Sequence, residues 1–434
     1  MRLVENPGYH EKTKSIENNV CFQFVAYDQD TFAEGKMIFT GLPAVTLQTL
    51  SVDEQGNSYG EIHVFDPEMS VDNRYEIQKA YANYHIRGGT SRGFDKKSYK
   101  VELLESNGSK KQSSFLGMRN DNEWCLQALY ADPNRIRDKL SSELWKEISS
   151  TIENDHVQGF SMEYVELYID DSYQGIYGLM EPVDYQQLNL DKNEDVLYKI
   201  QSWEVPTAED FIQNQNQEHC GGAEIKDSGR MITAELWAPY QEYVKHIYNS
   251  SEQECLEFIN EQMDLDNIIS LGLFVDTIAG GDNKSKNTYI STIFGTGENQ
   301  YTIVPWDMDL TWGLGWNGES HTHSKFSMKR AKKTFHEITF SRIWESGEYQ
   351  EEISEKWETL RADILAKDNI FQKIDAYTTL LNQSGAIQRE QEKWTQSGCS
   401  TDVSEMKEWV ETRLAYLDEF YSIESEGDKD GISE

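Results

Sequence analysis

The sequence predicts an α+β protein in two parts, with strands concentrated in the first half and helices in the second. Three observations carry this. Residues 97–104 alternate, with Lys97, Tyr99, Val101 and Leu103 on one side and Ser98, Lys100 and Glu102 on the other. Residues 164–180 read as a hairpin, YVELYID and IYGLM joined by Asp-Ser-Tyr-Gln-Gly. From about residue 233 onward helical spacing dominates. The expected division is a strand-rich part over 1–190, a mainly helical part over 191–422 and an acidic tail over 423–434.

Between the alternating strand and the hairpin, Asp132-Pro133-Asn134 opens a helix carrying Ile136, Leu140, Leu144 and Ile148 at helical spacing. A polar stretch from Gln201 to about Arg230, centred on QNQNQEHCGG, reads as an inserted surface loop. Helices are expected over 233–249, 252–263, 266–279, 349–381, 386–396 and 404–421, interrupted by one strand pair, 288–294 with 301–304, around the turn GTGENQ. The tail, rich in Asp, Glu and Gly, is expected to be solvated.

Composition narrows the function. Of 434 residues 38% are hydrophobic and 12% aromatic, enough for a sizeable core. Forty Lys and Arg against 76 Asp and Glu give a net charge of −36, which repels nucleic acid and anionic lipid and suits a basic protein partner. No run approaches the ~20 apolar residues of a membrane span. The first residues, MRLVENPGYHEKTK, lack the apolar centre of a signal peptide. The five cysteines (Cys21, Cys125, Cys220, Cys255 and Cys399) are scattered without a CxxC, which argues against a disulfide framework or zinc site and makes a cytoplasmic setting the expectation.

Three segments could carry chemistry. In Arg87-Gly88-Gly89-Thr90-Ser91-Arg92-Gly93-Phe94, close-spaced glycines let backbone N–H groups approach phosphate oxygens, and Lys96, Lys97 and Lys100 follow on the next strand. A plain hairpin loop is the bland alternative. In Gly281-Asp282-Asn283-Lys284-Ser285-Lys286-Asn287, an Asp precedes an Asn by five residues in a loop between helix and strand. Protein kinases use that spacing for a base and a metal ligand, with Lys284 placed to meet a transferring phosphoryl group; an ordinary polar turn is the alternative. In Pro305-Trp306-Asp307-Met308-Asp309, two carboxylates leaving a strand on one side suit Mg²⁺ or Mn²⁺ shared with nucleotide phosphates. The order of these parts is that of a protein kinase, although neither HRD nor DFG occurs.

The residues RGGTSRGFDKKSYKVEL (87–103), EWCLQALYADPNRIRDKLSSELW (123–145), YVELYIDDSYQGIYGLMEPVD (164–184), DNKSKNTYIS (282–291) and PWDMDLTWG (305–313) together resemble the spore coat protein H (CotH) kinase family. The resemblance implies a divergent bilobal protein-kinase-like fold, ATP with Mg²⁺ or Mn²⁺, and phosphorylation of Ser or Thr in protein substrates. It further implies Asp282 as the catalytic aspartate, Asn287 and Asp307 as metal ligands, and Asp309 as the companion of Asp307. Arg87 belongs to the turn beside the phosphates. Lys97 is the phosphate lysine on the strength of its strand face, with Lys96 and Lys100 as alternatives. Tyr198 and Tyr301 would flank adenine, and Glu181 would lie at the hinge or pair with the lysine. Gly89 and Asp138 stand where relatives commonly carry Asn.

Lys-rich, Ser-rich coat-type proteins are the expected substrates, with a spore-coat association for the chain. Two other readings stay open: a metal-dependent nucleotide-sugar glycosyltransferase, because Asp-x-Asp also serves diphosphate leaving groups, and a non-catalytic pseudokinase or coat scaffold. Past the metal motif lie His321-Thr322-His323 and a basic run, Lys325 to Lys333, for which a solvated segment is as good an explanation as phosphate binding. Trp344, Trp357, Trp394 and Trp409 are expected in the core.

Overall fold

The structure is a computed structural model that describes residues 2–3, 21–28, 31–38, 40–71, 74–294, 301–316, 318–323 and 338–421. The turn GTGENQ, the basic run and the tail expected over 423–434 lie outside the described residues. Strands and helices both occur in number, so the chain is α+β. It divides into two compact units: Met1–Arg135 with Glu163–Glu181 and Asp375–Asp402, and Ile136–Met162 with Pro182–Ile374 and Val403–Glu434. Each unit is assembled from separate stretches of the chain. The helix Arg137–Ser149 belongs to the second unit, and the helix Ala386–Lys393 returns to the first. Buried charge draws it there: Arg389 grips Glu166 through two bonds of 2.8 Å, and Glu390 is buried among partners of the same unit.

Unit 1 is built on a closed seven-stranded barrel. Its strands, in spatial order, are Glu123–Gln127, Ser172–Met180, Met162–Ile169, Ala44–Val52, Ser58–Val71, Arg74–Arg87 and Ser98–Leu104. Closure removes the free edges that an open sheet would expose. The alternation in 97–104 works as expected from Tyr99 on, since Val101 and Leu103 enter the barrel core beside Trp124, Tyr177 and Leu179, and Tyr99 packs on its margin. The hairpin turn falls at Asp170 and Asp171, both left-handed with φ of 48° and 61°, one step before the expected loop. Gly175 therefore sits inside a strand, with φ 105°, where a Cβ would lie 2.0 Å from the Glu390 carboxylate. That close approach explains the glycine.

Unit 2 holds an antiparallel sheet in the order His219–Cys220, Ala223–Ile225, Val196–Ile200, Thr288–Thr292 and Tyr301–Pro305. The polar stretch after Gln201 is thus more than a loop: it supplies the two strands at one side of this sheet and the helix Ala208–Asn214, which starts with a reciprocal cap between Thr207 and Asp210. Polar composition concealed both. The helix Leu265–Ile278 begins at an Asp264 cap and runs buried, with its Asn267 side chain donating to the Ile303 carbonyl (2.9 Å) and accepting the Ile303 N–H (2.8 Å). The single helix expected over 349–381 is two, Gln350–Ala362 and Lys367–Gln383. Leu365 is buried at the break, where Arg361 donates to its carbonyl and forks onto Asp418. A further helix, Ile338–Ser346, was not expected from the sequence.

Candidate active site

The acidic residues come together through the end of the buried helix and the hairpin that follows it. After Ile278 the chain turns at Ala279, left-handed at φ 51°, and Gly280 donates back to the Val275 carbonyl. A Cβ on Gly280 would lie 2.9 Å from Asn283 Oδ1, so the turn needs glycine there. Asp282–Lys284 then form one 3₁₀ turn. The buried Asn283 amide donates to the carbonyls of Asn287 (3.1 Å) and Trp306 (2.8 Å), tying this turn to both strands of the hairpin. Sequence reasoning passed over Asn283; its place between Asp282 and Asn287 carried no periodic signal.

Register does the rest. Thr288 pairs with Pro305 and Trp306 N–H donates to the Asn287 carbonyl, which puts Asn287 and Asp307 at the same end of the hairpin. Both are left-handed, with φ of 51° and 58°. Such backbone is uncommon outside glycine, although Asn and Asp tolerate it best, and it recurs where a fold holds functional groups in place. The Asn287 amide donates to the Asp307 carbonyl at 3.4 Å.

The strand ends at Pro305, so Asp307 and Asp309 lie in a loop and strand alternation does not set where their carboxylates point. That corrects the basis on which they were paired. The helix Arg137–Ser149 holds this loop instead. Asp138 accepts the Met308 N–H (3.2 Å), Arg137 Nε donates to the Thr311 carbonyl (3.1 Å), and Trp312 Nε1 donates to Ser141 Oγ (2.9 Å). The run NRIRDKLSSELW therefore has a physical role that its sequence did not disclose. Asp138 thus supplies an acceptor oxygen to the loop that carries Asp307.

Beside Asp282 stands Lys286, whose Nζ lies 2.9 Å from Asp282 Oδ2. Lys284, the lysine expected to face a phosphoryl group, is buried beneath the turn with Tyr240, Tyr243 and Ile303 near it. The lysine of this loop that meets Asp282 is two residues further on than expected.

The two tyrosines expected to flank adenine are core residues. Tyr198 is fully buried, stacked on Trp237 and Tyr240, and its hydroxyl donates to the Leu236 carbonyl. Tyr301 packs against Tyr243 and Phe258 and donates to the Pro239 carbonyl at 3.0 Å. Their rings are spent on packing, and burial pushes both phenols above their ordinary range. Trp357 is likewise buried, as expected.

In unit 1, Arg87 ends its strand and donates to Gln127 Oε1 at 3.1 Å. Lys97 lies one residue before its strand begins, and its ammonium folds back onto the carbonyls of Arg92 and Phe94, closing the glycine-rich turn. The strand-face argument for Lys97 therefore fails. Lys100 pairs with Glu123 at 2.7 Å. Lys96 is the buried lysine, donating to Glu390 Oε1 (2.7 Å) and the Ile176 carbonyl, with the Tyr177 ring 4.7 Å away. Glu181 is also buried and accepts the Arg119 N–H at 2.8 Å; the carboxylate that meets the buried lysine is Glu390, 294 residues away in sequence.

Burial lowers the Lys96 pKa to about 8, with Glu390 pulling the other way and Arg135 reinforcing burial. The unfolded chain's lysine titrates near 10.5, so between about pH 8 and that value the unfolded state binds the extra proton and this group's contribution to stability rises with pH. Lys96→Met is expected to remove that rise, read as denaturation midpoints of variant and wild type at about pH 7.5 and about pH 9.5.

No group of three or more His, Cys, Asp or Glu among the described residues is arranged to cage a metal by itself. The hard oxygens of Asn287 and Asp307 fit a divalent cation that takes its other ligands from nucleotide phosphates and water, as Mg²⁺ does. His321 and His323 offer their carbonyls to Trp409 and Arg413.

A match to the CotH kinase protein family covers residues 84–417, and so includes the glycine-rich turn and both acidic loops. The chain belongs to that family. It is also 23% identical over 249 residues to the inner spore coat protein H of Bacillus subtilis (strain 168), a stretch covering 57% of this chain and 61% of that relative. CotH family membership suggests a kinase-like or coat-related role. No helix among the described residues is long and apolar enough to cross a membrane.

Proposed function

We propose that the protein is an atypical protein kinase of divergent bilobal form that transfers the γ-phosphoryl group of ATP to Ser or Thr hydroxyls. The observation that carries this reading is the joining of Asp282, Asn287 and Asp307 by the Asn283 amide and the hairpin register. Asp282 accepts the proton of the acceptor hydroxyl as its oxygen attacks the γ-phosphorus and the bond to ADP breaks. Asn287 and Asp307, with Asp309 as the motif companion of Asp307, would hold Mg²⁺ or Mn²⁺, which when bound would supply positive charge against the phosphates. Arg87 is assigned to phosphate neutralisation, whereas the packing of Tyr198 and Tyr301 leaves the adenine contacts to other residues.

The net charge of −36 favours basic acceptors, and the coat protein among its relatives makes Lys- and Ser-rich coat-type proteins the substrates to try. The test is thermal stabilisation followed by turnover. ATP with Mg²⁺ or Mn²⁺ should raise the melting temperature, and phosphate should appear on a Lys/Ser-rich peptide with a rate that falls as salt rises. Stabilisation by a nucleotide sugar instead would favour glycosyl transfer. ATP binding without turnover on any acceptor would favour a pseudokinase acting as a coat scaffold.

A further inference from the structure

Lys286 does not stand alone beside Asp282. Its ammonium lies over the indole of Trp203, 5.7 Å from the ring centroid, while also meeting Asp282 Oδ2 at 2.9 Å. Trp203 is 49% exposed, in a chain whose larger aromatics are mostly packed away. Its loop is nonetheless fastened. Gln201 N–H donates to the Gly222 carbonyl (2.7 Å), Gly222 N–H to the Glu204 carbonyl (3.1 Å), and Glu204 N–H to Ser202 Oγ (3.2 Å). A Cβ on Gly222 would lie 2.6 Å from both Ser202 Oγ and the Glu204 carbonyl oxygen, so the two segments sit closer than any other residue allows. Asn287 N–H donates to the Ile200 carbonyl, which joins this loop to the far end of the Asp282 turn.

We infer that Lys286 is a positioning residue for Asp282 and that Trp203 holds it there. This rests on the kinase reading above and adds to it two residues outside the Asp282, Asn287 and Asp307 set. A carboxylate on a short, partly exposed turn samples several rotamers in water. An ammonium fixed on its Oδ2 leaves Oδ1 in one orientation for the acceptor hydroxyl, and near-attack geometry of this kind governs turnover more than ground-state binding. The indole supplies a face that attracts the ammonium without competing for the carboxylate. The polar excursion that begins at Gln201 thereby gains a reason to lie next to the catalytic loop.

The experiment compares Lys286→Met, Lys286→Arg, Trp203→Leu and Trp203→Phe with wild type, measuring kcat and both KM values for phosphorylation of a Lys/Ser-rich peptide. Lys286→Met should lower kcat by about 10- to 100-fold with the KM for ATP little changed. Lys286→Arg should restore most of it. Trp203→Leu should cost about 3- to 10-fold, and Trp203→Phe less, because the phenyl face still attracts a cation. Both side chains reach the surface, so melting temperatures should stay at the wild-type value. Wild-type kcat in Lys286→Met would overturn the inference and leave the kinase reading standing. A loss carried in the KM for ATP, or one that arginine does not rescue, would also overturn it. An inactive wild type would remove the kinase reading and this inference with it.

Discussion

Asp282→Ala is expected to lower phosphoryl transfer by about 10²- to 10⁴-fold, the usual contribution of a positioned general base, without unfolding the protein. Asp282 lies on a partly exposed turn whose shape is held by Asn283 and Gly280, so removing its carboxylate leaves the scaffold intact. Asp307→Ala is expected to abolish transfer as well, but by a different route. It would remove the carboxylate proposed to hold the metal, so ATP with Mg²⁺ should no longer raise the melting temperature of this variant, whereas it should still stabilise Asp282→Ala. Transfer at the wild-type rate by either variant would contradict the assignment. Equal loss of nucleotide stabilisation in both would place Asp282 on the metal as well.

The largest effect on stability is expected in the barrel unit, at Glu390. Its carboxylate takes the Lys96 ammonium at 2.7 Å, Arg135 Nε at 3.0 Å and the Ile176 N–H at 2.8 Å, and all three side chains of the cluster are wholly buried. Glu390→Ala leaves two cations uncompensated out of water and opens space beside Gly175. Breaking a buried pair in this way costs about 3–5 kcal/mol. Glu390→Gln keeps an acceptor for the Ile176 N–H and should cost less. Urea denaturation monitored by circular dichroism, with both variants beside wild type, reads the difference. A midpoint unchanged in Glu390→Ala would mean that the cluster is not what holds the helix Ala386–Lys393 to the barrel.

What the sequence disclosed, and what it did not, follows from the range of the interactions involved. Alternation grouped Val101 and Leu103 on one face, which the barrel core takes in, and periodicity located most of the helices of unit 2, because both patterns record burial over neighbouring residues. The Asp282–Asn287 loop and the Asp307 loop were visible as residue types at kinase-like spacing. Their meeting depends on strand register and on a buried Asn283 side chain, which no local pattern records. Lys97 and Lys96 were separable only once the strand was seen to start at Ser98, and the partner of Lys96 lies near the other end of the chain. Tyr198 and Tyr301 show the limit of transferring a role by position, since an aromatic in the right place in sequence is still free to turn its ring into the core. Lys286 was overlooked in favour of Lys284 because spacing alone does not tell which lysine of a tight turn reaches solvent.

The most direct test of the central claim is incubation of the purified protein with γ-labelled ATP and Mg²⁺ or Mn²⁺, with and without a Lys/Ser-rich acceptor, beside Asp282→Ala. The expected result is label on the acceptor or on the wild-type chain itself, absent from the variant. Label of equal intensity on both proteins, or none on either despite measurable ATP binding, would contradict phosphoryl transfer by Asp282.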